Sequence, residues 1–106
     1  MPLYLGRFKY SAEAMKAMVD NPQDRGAAAA QAAESLGCKL HGLWWGLGDH
    51  DGVFILEAPD NVSVVALAMA VGASGQISTE TTLLLEMDEA QEAMRRAARV
   101  KFHAPS

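Results

Sequence analysis

The stretch from Gly46 to Asp60, Gly-Leu-Gly-Asp-His-Asp-Gly-Val-Phe-Ile-Leu-Glu-Ala-Pro-Asp, leaves the chain few ways to run through it. Asp49, His50, Asp51 and Gly52 make a turn, because Asp and Gly supply the backbone angles a hairpin connection needs. Val53 to Ala58 is rich in β-branched and aromatic residues and reads as a strand. Pro59 cannot continue a ladder, and Asp60 can cap a helix from Asn61 to Val71. Val64, Leu67, Ala68 and Val71 give that helix a buried stripe. A hairpin that feeds directly into a helix therefore sits at the middle of the chain.

The flanks repeat the alternation of strand and helix. Leu3 to Tyr10 is a strand with Tyr4, Gly6 and Phe8 on one side and Leu3, Leu5, Arg7 and Lys9 on the other. Ser11 offers a cap for a helix carrying Met15, Met18 and Val19 at helical spacing. Asp20-Asn21-Pro22 interrupts it. Asn21 as a cap and Pro22 in the first helical position predict a second helical segment from Gln23 to Leu36, ended by Gly37. Its alanines, Ala27 to Ala30 and Ala32-Ala33, are small enough to bring the helix close to a sheet. Cys38 to Gly46 reads as a strand, and Trp44-Trp45 puts one indole on each sheet face, the helix-side one in the core. Gln76 to Leu85 is a last strand. A terminal helix at about 88–100 has its acids before its bases, the order the helix dipole favours, with Ala90, Ala93, Met94 and Ala97 on its apolar side. Residues 101–106 are an irregular tail.

The order β-α-β-β-α-β with an extra C-terminal helix predicts an α+β, ferredoxin-like fold: a four-stranded antiparallel sheet with helices on one face. At 106 residues the chain is one domain, with a core over 1–86. The other sheet face, with Leu3, Leu5, Val53, Ile55, Ile77 or its alternates and one tryptophan, has no cover within the chain. A second copy is the expected cover, giving a homodimer or a multiple of it.

Composition narrows the partners. A net charge of −4 and a single basic run at a helix end argue against nucleic acid. The longest apolar run, Val62 to Gly72, is too short to span a membrane, and the N-terminus has no leader-like pattern, so a cytoplasmic protein is expected. Cys38 is alone and reads as a structural thiol. No cofactor or metal is expected.

His50, flanked by Asp49 and Asp51, is a candidate catalytic group, since imidazole titrates near neutrality and carboxylates orient it. The turn supplies a structural reason for all three. Glu57 and Glu80 stand within strands, where carboxylates are poorly favoured. If their faces coincide with that of Arg7 and Lys9, acids and bases converge on one sheet surface, as interface pairs or as a site. Glu80 is the second catalytic candidate. Arg7, Trp45, Glu57 and Glu80 are the candidate ligand-binding residues. His41 and His103 stand apart and are given no role.

Leu47-Gly48-Asp49-His50-Asp51, Glu57-Ala58-Pro59-Asp60 and Ser78-Thr79-Glu80-Thr81, with the element order, resemble the GYD domain family. The likeness runs from Met1 to about Leu85. His50 stands where the family's turn usually has tyrosine. The resemblance implies a fold of the dimeric α/β barrel type and brings no established reaction. The leading expectation is a small homo-oligomeric protein binding a small organic molecule between sheet and helices or where two sheets meet. Its rivals are a cofactor-independent monooxygenase or isomerase, as many dimeric α/β barrels are, and an assembly protein without a ligand.

Overall fold

The computed structural model describes residues 1–106, and its sheet explains most of the sequence pattern. The elements are β1 (Leu3–Tyr10), α1 (Ala12–Asp20), α2 (Arg25–Glu34), β2 (Lys39–Trp45), β3 (Gly52–Glu57), α3 (Asn61–Gly72), β4 (Ile77–Leu84) and α4 (Met87–Ala97). The four strands form one antiparallel sheet in the order β2-β3-β1-β4, the ferredoxin-like arrangement. No helix is long and apolar enough to cross a membrane.

Strand alternation sorts the residues between two faces. Tyr4 lies opposite Leu56 and Leu83, and Gly6 opposite Phe54 and Thr81, on the face covered by α2 and α3. Tyr4, Leu56, Ala33, Cys38, Ala58 and Val64 form the core there. The Tyr4 hydroxyl donates to the Asn61 side chain and so ties the start of α3 to the sheet. Burial, with the nearby Asp60 charge, pushes the Cys38 thiol up, as befits a structural cysteine.

Asp60 caps α3 as its position predicts: its Oδ1 accepts from the Ser63 backbone N–H at 2.8 Å. That bond holds the carboxyl below its ordinary value. A lowered folded value means the cap contributes fully above the ordinary carboxylate range and is lost as pH falls through the lowered one. Asp60→Ala should therefore melt below the parent at neutral pH and converge with it in acid. A gap that persists unchanged into strong acid, followed by circular dichroism, would contradict the assignment.

Two expectations need correction here. Asn21 does not open the second helix; it closes α1, its N–H donating to the Ala17 carbonyl at 2.9 Å. Proline pushes the residue before it out of the helical region, and the chain needs Pro22 to Asp24 to turn. Asp24 then caps α2 by accepting from Ala27 N–H at 3.2 Å.

The β2–β3 connection is the six-residue loop 46–51, and Gly52 belongs to β3. Only Gly48 in that loop has a left-handed φ, 126°. Gly52 is glycine for space, because a Cβ there would lie 2.2 Å from the Trp44 carbonyl and 2.3 Å from the Phe8 ring. Asp51 docks the loop on β1: its Oδ2 accepts from Tyr10 N–H, and its own N–H donates to the Phe8 carbonyl, both at 2.8 Å.

The helix α4 forms with Ala90, Ala93, Met94 and Ala97 on its apolar side, as its sequence predicts, and leaves that side largely uncovered. No residue of that helix is buried, and Met94 is 68% exposed. The helix is formed locally, with Glu89 Oε1 accepting from the Glu86 N–H at 3.0 Å, and only Ala90 and Glu92 of it are partly covered.

Candidate functional site

The face away from α2 and α3 carries most of the charged candidates. Arg7 lies between Val53 and Glu80, and Leu3 between Glu57 and Leu84. The faces of the acids and bases therefore do coincide. They split into two groups, however, because Leu3 and Arg7 are four residues apart along β1, about 13 Å. At one end the loop folds back so that His50 Nε2 lies 3.3 Å from Glu80 Oε2, beside Arg7. At the other end Glu57 Oε1 lies 3.1 Å from His41 Nε2. His41, expected to stand apart, is thus paired; the irregularity between Leu40 and Gly42 breaks the simple alternation of β2 at this residue.

Between these ends runs an apolar belt of Leu5, Val53, Ile55 and Trp44, the Trp44 ring lying over Gly42. Neither charged group gathers three metal-ligating side chains. The Glu80 side chain is 70% exposed, an open setting for a catalytic pair in one copy.

Trp45 is not among them. It projects to the helix side at the sheet edge, half-exposed rather than in the core. It stacks on Tyr10 (centroids 5.4 Å, interplanar 16°) and meets Phe8 edge-on at 5.7 Å. The tryptophan that shares a face with Arg7, Glu57 and Glu80 is Trp44.

Phe8 and Tyr10 lead to a feature of different character. Between the sheet and helices α2 and α3 lies a cavity of about 140 Å³. Its floor is Phe8, Leu40, Leu43, Phe54 and Ile77; its roof is Leu67 and Val71 of α3 with Ala28, Ala29 and Ala32 of α2. The expectation that the alanines would bring α2 close to the sheet holds only at its last turn, where Ala33 is buried against the core. Earlier in α2 the same small side chains fail to fill the layer, and space remains. Leu56 and Ala33 are the most deeply buried residues of its lining, whereas Arg25 and Tyr10 are partly exposed.

The polar residues in its lining are few: Tyr10, Arg25, Thr79 and Thr81. Of these, only Thr79 and Thr81 belong to a motif noted above, and Arg25 is new. A signal for it was present, since Arg25, Ala28, Ala29 and Ala32 fall at i, i+3, i+4 and i+7, one helix face.

A ferredoxin-like sheet with one helix-covered face, an apolar cavity under that cover and one bare face defines a small α+β domain with two surfaces open to occupation. Residues 4–94 match the GYD domain, and the chain belongs to that family. No curated protein and no solved structure matches it.

Proposed function

We propose that this GYD-domain protein is a homo-oligomer that binds a small organic molecule in the cavity between its sheet and helices. The single observation that carries the reading is the cavity itself. Protein interiors are packed to crystal density, and a void of this size forfeits contacts that a side chain one or two carbons longer than alanine would regain. Its chemistry favours binding over turnover. No carboxylate, imidazole or thiol stands among its lining residues, so the usual general bases are missing from its wall.

Toluene tests the reading without prejudging polar groups. Saturation with toluene should raise the melting temperature of the parent protein and not that of Ala29→Leu, in which the added carbons occupy the hollow. Equal response of the two proteins, or none in the parent, would defeat it.

Self-association is supported by surface area. The chain exposes 7621 Å², whereas a compact monomer of 11.3 kDa exposes about 5,700 Å². The surplus, about 1,900 Å², exceeds the roughly 800 Å² per partner of a standard stable interface. The exposed tail after α4 takes part of that surplus; the apolar side chains open to a partner include Trp44 on the bare sheet face, 55% exposed, and Met94 of α4, 68% exposed. Light scattering at micromolar concentration should therefore give a dimer or its multiple. Trp44→Glu, which puts a charge in the apolar belt, should lower the assembled fraction strongly, while a parent that is monomeric throughout would overturn the expectation. The observation favouring an enzymatic alternative, a cofactor-independent monooxygenase or isomerase, is the His50–Glu80 pair on the same side of the sheet as Arg7, which such a dimer would cover.

A further inference from the structure

We infer that the occupant of the cavity is a small apolar monocarboxylate, its hydrocarbon part under α2 and α3 and its carboxylate on Arg25; this rests on the cavity-binding reading above. Two independent observations carry it. The first concerns size and lining: a dry cavity of about 150 Å³ takes one benzene ring, and this one, at about 140 Å³, is walled almost entirely by aliphatic and aromatic carbon.

The second concerns Arg25, the single charged residue on the cavity wall. It stands in the first turn of α2, the end where the helix dipole disfavours a cation. Helix stability therefore does not account for it. Neither does ion pairing: its Nη1 donates to the neutral Gln23 Oε1 at 3.1 Å, and none of the ion pairs of the chain includes it. The adjacent Asp24 carboxylate is turned to the Ala27 N–H. An arginine placed against its own helix dipole, without an acid, at the edge of an apolar hollow is matched by an incoming carboxylate. That anion would meet a forked donor suited to two oxygens and, behind it, the favourable end of the dipole.

The floor fits the same ligand class. Phe8 and Phe54 lie nearly parallel, 23° apart with centroids at 6.5 Å, and offer ring faces to a planar guest. Thr79 and Thr81 supply hydroxyls on the β4 side, where a shallower hollow sharing Val64, Ala68 and Ile77 opens to solvent.

Phenylacetate and its neutral isostere phenylacetamide separate the two readings. Both are titrated into the full chain at neutral pH and fixed ionic strength, with Trp45 fluorescence and amide chemical shifts as readouts. Phenylacetate should bind about tenfold or more tightly than phenylacetamide, with shifts centred on α2 and β4. Arg25→Gln should abolish that preference while still binding the amide, and Arg25→Lys should keep part of it. Equal binding of the two compounds by the parent protein would overturn the carboxylate inference and leave the cavity reading standing. No binding of either would overturn both. Arg25 is at the surface end of α2, so its variants will fold, and amide spectra of the free proteins verify this.

Discussion

Replacing Leu56 by alanine should lower the unfolding free energy by about 2–5 kcal/mol, the range for a leucine lost from a well-packed core. Leu56 is the one large side chain buried to 1%, at the point where β3, β1 and α2 meet through Tyr4 and Ala33. It also lines the cavity. The truncation would join new empty volume to the existing hollow, so the neighbours have little reason to collapse inward. A cost near the upper end of the range is expected. Urea unfolding followed by tryptophan fluorescence measures it. A loss well below 1 kcal/mol would mean that the packed end of the layer is not where the stability resides.

Gly52→Ala should be the most damaging addition of a single methyl group, about 3 kcal/mol or more. The new Cβ would meet a backbone carbonyl at 2.2 Å and an aromatic ring at 2.3 Å. The Phe8 ring could turn aside at some cost, but the Trp44 carbonyl belongs to the β2–β3 ladder and cannot yield without opening it. The same movement would disturb Trp45, which pairs with Gly52 and packs on Phe8. The expected signature is a lowered denaturant midpoint together with a changed tryptophan emission. A variant as stable as the parent would show that the hairpin tolerates a wider spacing than its contacts imply.

The sheet was legible in the sequence because strand alternation is a local signal. Tyr4, Gly6 and Phe8 on one side of β1, with Leu3, Leu5 and Arg7 on the other, is the partition the structure adopts. Asp60 as a helix cap was legible for the same reason: the capping bond spans three residues. The start of α2 was not, because Asn21 and Asp24 are both competent caps and only the path after Pro22 decides between them.

Gly52 illustrates a second kind of blindness. A glycine beside Asp51 reads as a turn former, and its true reason, the approach of Phe8 and the Trp44 carbonyl, depends on residues from another strand. The site was harder still. His50 and Glu80 were singled out separately and do meet, because the loop folds over the end of β1 through Asp51. The cavity was expected only in outline. Its existence turns on how far apart α2 and the sheet settle, which is decided by the large residues at Leu56, Leu67 and Phe54 rather than by the alanines themselves. Arg25 then escaped notice because an arginine near a helix start looks like solvated surface until the layer beneath it is known to be hollow.

Binding in the cavity requires that the layer between sheet and helices hold a preformed, apolar, enterable space. Crystals of the protein exposed to xenon gas test it most directly, since xenon enters dry cavities without needing a polar partner. Xenon density bounded by Ala29, Ala32, Phe54 and Leu67 is expected in the parent protein and not in Ala29→Leu. Xenon-free density in the parent, with the α2 alanines seated directly on the sheet, would contradict it.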